Sequence, residues 1–324
     1  MKLKSKPIAV IGCGYWGANL VRVFYELGAL NTICDINTSI INSLKEKFKG
    51  IKITADFKEV LDSPYIKAVA IAVPAVQHFE LAKKAILAGK DVFMEKPLAL
   101  NLKDARYLVK LSEKHKRILM VGHILQYHPG AIRLKALMSK GDLGKIQYIY
   151  SNRLNIGKLR TEENILWSFA PHDISLILML MDEEPEEVSA FGGDYVSRGI
   201  YDTTLTSLKF KNGVKAHIFV SWLHPYKEQK LIVVGSKAMA VFDDVSEEKL
   251  FIYPHKIEWL NGKVPIAQKA QYYTLEVEKR EPLREELKHF MECVANRKNP
   301  KTDGYEGLRV LRVLEQAEKS LKEN

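Results

Sequence analysis

Pro7-Ile-Ala-Val-Ile-Gly-Cys-Gly-Tyr-Trp-Gly17 decides the fold. Four apolar residues, Ile8 to Ile11, run straight into Gly12, Gly14 and Gly17, and Ala18 to Leu27 then carries apolar residues at helical spacing. A buried strand, a tight glycine turn and a helix start give that pattern. The glycines fit G-x-G-x-x-G, and each has a task. Gly12 makes the turn, Gly14 lets backbone approach a pyrophosphate, and Gly17 lets the helix lie close to the strand. Phosphates would bind the open N–H groups at the helix N-terminus, where the macrodipole favours negative charge. Taken alone, the hexapeptide is a weak signal, and a chance glycine turn in some α/β protein is the alternative.

The residues after the helix narrow the choice. A second short run, Asn31-Thr-Ile-Cys-Asp-Ile36, delivers Asp35, 23 residues after Gly12. A carboxylate at the end of a second strand accepts hydrogen bonds from the adenosine ribose hydroxyls. It would repel a 2′-phosphate, and Asn37-Thr38 offers no arginine to receive one. The expected cofactor is therefore NAD rather than NADP.

The bulk properties bound the remaining choices. The chain has 324 residues, enough for two domains with their own cores. Apolar content is 47% and charged content 27%, ordinary for a globular protein. Cys13, Cys34 and Cys293 are too few and too scattered for a disulfide framework or a zinc site. Met1 to Lys6 does not read as a secretory leader, and no apolar run reaches the roughly 18 residues of a membrane helix. The expectation is a cytoplasmic protein without a membrane partner. The net charge of +10 would attract anionic ligands such as dinucleotides or nucleotide-sugars. The lysines are spread along helices and loop ends, as in Lys83-Lys84 and Lys298 to Lys301, rather than gathered in a stripe, so no nucleic-acid partner is expected.

Along the first 123 residues, strand and helix alternate. Helical stretches are expected at 38–48, 76–88 and 101–115, and strands at 51–53, 66–73, 91–94 and 118–121. That rhythm predicts an α/β unit, a Rossmann doubly wound parallel sheet over residues 1–123. It then changes. Helices are expected at 129–140 and 171–181, with Pro171 in the first helical turn. Strands are expected at 145–154, 186–196, 202–210, 214–222, 228–234 and 239–243. This predicts an α+β domain over residues 124–324 with an open, mostly antiparallel sheet. The tail is read as two helices, broken at Asn299-Pro300 and free to pack back on the first domain (residues 283–324).

Ligands of open α/β sheets bind at the carboxyl ends of the strands. That rule nominates Gly12 to Gly17, Asp35, Val73-Pro74, Glu95-Lys96-Pro97 and Gly122-His123. Lys96 is either the partner of Glu95 in a salt bridge or a lysine close to a nicotinamide. Burial and the positive charge of NAD⁺ would lower its pKa and let it polarise or deprotonate a hydroxyl.

The glycine fingerprint, the strand end Ala72-Val-Pro74 followed by His78, and Glu95-Lys96-Pro97 together resemble the glucose–fructose oxidoreductase / inositol dehydrogenase / MocA (Gfo/Idh/MocA) family. The resemblance covers essentially the whole chain. It implies an NAD-dependent sugar dehydrogenase and makes Lys96 the catalytic lysine. It places Tyr15, Trp16, Val73, Pro74, His78, Glu95 and Gln126 with the glycines and Asp35 at the cofactor. It also suggests a cis bond before Pro97. The second signature, Phe169-Ala-Pro-His172-Asp, makes His172 the general base or hydrogen-bond partner of the hydroxyl. Many members carry an aspartate four residues before this histidine. Ser168 stands there instead and cannot share acid–base work at neutral pH, so Lys96 and His172 carry it or Asp173 assists.

Gly12-Cys-Gly-Tyr-Trp-Gly17, Gly122 to Pro129, Ser151 to Asn155 and Leu166 to Asp173 are similar to one branch of that family. Its members oxidise the 3-hydroxyl of a UDP-linked N-acetylhexosamine, or its uronic acid, ahead of 3-amino-sugar formation. On that reading Arg153, Lys158 and Arg160 face a diphosphate, Asn155 and Gln126 read sugar hydroxyls or an acetamido group, and Trp167 stacks on a ring. The substrate-contacting set is then Lys96, Arg153, Asn155, Trp167 and His172. A free polyol or inositol is the alternative substrate, and a nonenzymatic NAD-binding regulator the alternative class. No metal is expected, since none of the nine histidines has a ligand spacing such as H-E-x-x-H. An open sheet with one apolar face needs cover, so a homodimer or homotetramer is expected.

Overall fold

The computed structural model describes residues 6–157 and 159–323. These form two compact units. One takes in the chain through Ile124 together with Glu281–Leu311, and the other Leu125–Arg280 together with the chain from Arg312 on.

The first unit follows the alternation of its sequence. Its elements are β1 (Ile8–Ile11), α1 (Gly17–Glu26), β2 (Leu30–Cys34), α2 (Thr38–Lys47), β3 (Lys52–Thr54), α3 (Phe57–Asp62), β4 (Ala68–Ile71), α4 (His78–Leu87), β5 (Asp91–Glu95), α5 (Leu102–Lys114) and β6 (Leu119–Gly122). The strands line up as β3-β2-β1-β4-β5-β6, all parallel. The order reverses between β1 and β4, and ligands of such sheets bind at that crevice. β1, β4 and β6 are buried along their whole length, as strands covered on both faces must be. The helix starts follow local chemistry. Asn37, Asp56 and Asn101 accept backbone N–H groups of the first turns of α2, α3 and α5. Gly89, at φ +75°, follows α4 in the left-handed region that ends helices.

The second unit opens with α6 (Pro129–Lys140), β7 (Ile146–Ile156) and α7 (Ile165–Met181). Its strands β8 (Glu187–Gly193), β9 (Thr203–Lys209), β10 (Lys215–Ser221), β11 (Leu223–Gly235), β12 (Met239–Asp243) and β13 (Leu250–Tyr253) come next. β14 (Lys256–Leu260) and β15 (Val264–Gln268) pair only with each other, and β16 (Tyr273–Thr274) rejoins β13. The eight-stranded sheet runs β16-β13-β12-β11-β7-β10-β9-β8. Only β7 and β10 pair in parallel; the other neighbours are antiparallel. Ile149, Ser151 and Arg153 of β7 and Ala216, Ile218 and Val220 of β10 are buried, on the face that α7 covers. Tyr148, Tyr150 and His217 alternate with them on the opposite face, where the Tyr150 and His217 rings stack at 5.4 Å.

Two expectations change here. α7 begins at Ile165, not at residue 171, and Pro171 lies inside it. Asn164 caps the helix by accepting the Trp167 N–H, and Ile165, Leu166 and Ala170 are fully buried. Capping and burial together outweigh the one hydrogen bond that an interior proline removes. The second change is that four short strands come after Asp243 where none was expected. The tail forms α8 (Pro282–Asn296) and α9 (Gly304–Glu323); α8 falls in the first unit and α9 continues from the first into the second.

Candidate active site

In the first unit the residues after the strands converge at the carboxyl edge of the sheet. Gly12 donates its N–H to the Cys34 carbonyl (2.9 Å) and sits at φ +80°, where a side chain is strained. A Cβ on Gly12 would lie 2.6 Å from Val73 Cγ1, and one on Gly17 would collide with the Gly12 carbonyl oxygen. On Gly14 it would meet nothing within 4 Å. The packing of the chain itself therefore demands two of the three glycines. The third keeps open a space beside the loop, which suits the close approach of a pyrophosphate.

Asp35 directly succeeds β2. Its Oδ2 accepts the Cys13 N–H (2.6 Å) and its Oδ1 the Asn37 N–H (2.8 Å), so the carboxylate is fixed beside the glycine loop. Tyr15 is 95% exposed. Trp16 stands at the N-cap of α1 but does not cap it; its indole N–H donates to Glu95 Oε1 at 2.5 Å, across to the end of β5. The His78 ring is buried between two carbonyls, with Nδ1 2.7 Å from Pro97 O and Nε2 2.9 Å from Val73 O. It thus clamps the end of β4 to the end of β5, a structural task that the sequence reading did not give it.

Lys96 is half-buried, and the Lys96–Pro97 bond is cis. Burial pushes the Glu95 carboxyl up to about 7, against the Trp16 hydrogen bond and the Lys96 charge, which lower it. His123, just after β6, is 2% exposed, and neither ring nitrogen has a hydrogen-bond partner among the described residues. Burial first, and the Lys96 charge second, push it down to about 3, so it is a neutral imidazole. Around Lys96 stand a carboxyl that titrates near neutrality and an imidazole that does not. Such surroundings tune proton transfer.

In the second unit, α7 carries Ser168 and His172 one turn apart on one face. His172 is half-buried. The other nominated residues are more committed than their sequence suggested. Arg153 is 8% exposed and donates from Nε to Asp173 Oδ2 (2.7 Å) and from Nη2 to Asp173 Oδ1 (3.3 Å), while Ser151 Oγ donates to Asp173 Oδ1 (2.6 Å). A guanidinium neutralised in this way ties β7 to α7, and Asp173 is occupied by the same bond. Gln126 is buried with Nε2 2.9 Å from Ser175 Oγ on α7. The Trp167 indole N–H is held by Glu318 Oε2 at 3.0 Å, with Asn164 on the same oxygen at 3.1 Å. Asn155 differs: its Oδ1 is buried with no hydrogen-bond partner among the described residues. Arg160 pairs with Glu163 at 2.9 Å, and Lys158 lies outside the described residues.

Sequence reasoning missed the Trp16–Glu95 bond, the Arg153–Asp173 pair and Glu286 of α8. Only the last left a signal, a lone acidic residue in the apolar stripe Leu283, Leu287, Phe290.

Residues 6–123 match the family described as the oxidoreductase family with NAD-binding Rossmann fold, and residues 131–241 match the GFO/IDH/MocA C-terminal domain. The chain is 28% identical to a myo-inositol 2-dehydrogenase of Thermotoga maritima, over 98% of this chain and 96% of that one. It is 26% identical to a UDP-N-acetylglucosamine 3-dehydrogenase of Acidithiobacillus ferrooxidans, over 76% of each. A solved structure of the latter enzyme superposes with a TM-score of 0.85 at 24% identity, covering 98% of this chain and 97% of that one, and so shares its fold. The strand-end constellation and the two matched domains lead to one conclusion: the chain belongs to the Gfo/Idh/MocA oxidoreductases, and its first unit is an NAD-binding Rossmann domain.

Proposed function

We propose that this enzyme oxidises the 3-hydroxyl of a UDP-N-acetylhexosamine, UDP-N-acetylglucosamine or its uronic acid, to the 3-keto sugar. The observation that carries the reading is the likeness to UDP-N-acetylglucosamine 3-dehydrogenase, in sequence over 76% of each chain and in fold over nearly all of it. The unpartnered Asn155 Oδ1 supports it as an acceptor for a sugar hydroxyl or acetamido N–H, and the +10 charge favours an anionic substrate. Bound NAD⁺ supplies the hydride acceptor. The glycine loop holds the pyrophosphate and Asp35 the adenosine ribose. The His172 imidazole, helped by Lys96 Nζ, would take the one proton of the hydroxyl as it becomes a carbonyl.

The similarity to myo-inositol 2-dehydrogenase over nearly the full length of both chains favours a second reading, a free polyol as substrate. NADH formation against a panel of UDP-hexosamines, inositols and free sugars decides between them. Turnover of polyols with none of any UDP-hexosamine would reject the first reading. We also infer a homodimer or homotetramer formed through the outer face of the eight-stranded sheet, where Tyr148, Tyr150, His217 and Phe219 stand half-buried. Light scattering on the purified protein tests it, and a monomer at micromolar concentration would refute it.

A further inference from the structure

The face that α8 turns to the sheet of the first unit is apolar: Leu283, Leu287, Phe290 and Cys293. Glu286 interrupts it. This residue is 1% exposed, and neither carboxyl oxygen has a hydrogen-bond partner among the described residues. Its neighbours have ordinary partners. Glu281 takes Arg22 of α1, Glu285 takes Lys288, and Arg284 takes Glu26 of α1. A carboxylate at Glu286 would thus be buried with no donor, while a carboxylic acid needs only one acceptor for its O–H.

The helix-on-strand register points to Glu95 as the nearest candidate for that acceptor. Phe290 packs against Phe93 of β5, ring centroids 5.7 Å apart. Glu286 lies one helical turn before Phe290, about 6 Å along the axis. Glu95 lies two residues beyond Phe93 on the same face of β5, about 6.6 Å along the strand. The two steps match when α8 runs antiparallel to β5, and that sense is given by Arg297, the residue after α8, which donates from Nη1 to Asp91 Oδ2 at the start of β5 (2.6 Å). Burial, and then the Glu95 charge, hold the Glu286 carboxyl well above the ordinary carboxylate range. From α1, the Trp16 indole reaches the same Glu95. The other titratable groups near this pair are Lys96, which comes directly after Glu95, and His123, which is neutral. Arg22 and Glu26 of α1 are engaged with the outer residues of α8.

We propose that Glu286 is a neutral carboxylic acid sharing one proton with Glu95, and is thereby a positioning residue for the strand end that carries Lys96. Glu95 is then held from two sides, by the indole N–H of Trp16 and by the O–H of Glu286, and the pair carries one negative charge against the ammonium of Lys96. The positioning clause rests on Lys96 as the proton-handling lysine; the shared proton does not.

Three measurements separate these parts. Infrared spectra of the cofactor-free protein at pH 8, where exposed carboxyls are ionised, should keep a protonated-carboxyl C=O band that Glu286→Gln removes. No such band in the unsubstituted protein overturns the proposal, whether or not the variant folds. Unfolding in urea gives the second. Because the folded pKa of Glu286 lies above the unfolded value, its stabilisation is complete below the unfolded pKa and is lost as pH rises. Glutamine has no such proton to lose. The ratio of the unfolding constant of the unsubstituted protein to that of Glu286→Gln should therefore rise up to tenfold per pH unit above pH 5. A ratio constant with pH overturns the shared proton.

For positioning, Glu286→Leu removes the O–H donor to Glu95. The acid limb of kcat/KM, and of NAD⁺ affinity, should move up by about one pH unit and return in Glu286→Gln. Limbs unmoved in both variants overturn the positioning role. Failure of every nucleotide-sugar to react would reject the substrate reading and leave the infrared, urea and NAD⁺ results to decide this one.

Discussion

Substituting alanine at Gly14 and at Gly17 should have opposite consequences, although both glycines belong to one six-residue motif. At Gly17 the new methyl would collide with the carbonyl oxygen of Gly12 and lie 2.9 Å from its carbon. Backbone cannot step aside as a side-chain tip can, so α1 must lift off β1. Overpacking of this kind costs about 1–3 kcal/mol, and a backbone collision belongs at the upper end. Against a stability of roughly 5–15 kcal/mol that is a large loss. At Gly14 the same methyl meets nothing within 4 Å, and the backbone there is not in the left-handed region, so stability should change by less than about 0.5 kcal/mol. The methyl would instead occupy the space assigned to the pyrophosphate. Loss of one or two charge-assisted hydrogen bonds, at about 1.5–3 kcal/mol each, weakens binding at least tenfold. Urea unfolding and NADH fluorescence titration on the two variants separate the effects. Gly14→Ala binding NADH within twofold of the unsubstituted protein would refute the placement of the pyrophosphate. Gly17→Ala with unchanged stability would refute the close helix–strand approach.

Arg153→Ala leaves Asp173 as a buried charge without its partner and should lower stability by about 3–5 kcal/mol, measured by urea unfolding; a change confined to KM would restore Arg153 to the substrate. On the proposed site, where the glycine loop and Asp35 would hold the dinucleotide, Lys96→Ala should abolish turnover and leave NADH affinity within a few-fold; equal loss of both would make Lys96 a cofactor anchor. Trp16→Phe removes a donor that lowers the Glu95 pKa from its burial-raised value. Glu95 should then titrate above 7, and the acid limb of NADH affinity against pH should shift upward. A limb that stays in place would detach Glu95 from cofactor binding.

The sequence by itself determined the first unit almost completely. Parallel strands buried on both faces must be continuous apolar runs, and the glycine turn and Asp35 are local features whose geometry is set by a few adjacent residues. The strand-end rule then placed Lys96 at the carboxyl edge before any contact was known. Local signals were weaker for α7. Its proline matched a first-turn pattern, but burial of Ile165 and Leu166 and the Asn164 cap extended the helix past it. Tertiary structure alone decided which charges are free and which are spent. Arg153 and Asp173 are 20 residues apart, Trp16 and Glu95 are 79 apart, and no periodicity links either pair. The opening stretch thus specified the tight turn and the helix start, because backbone conformation there is set by glycine. It could not specify that Trp16 reaches across to Glu95, because side-chain partners are chosen by how helices settle on the sheet.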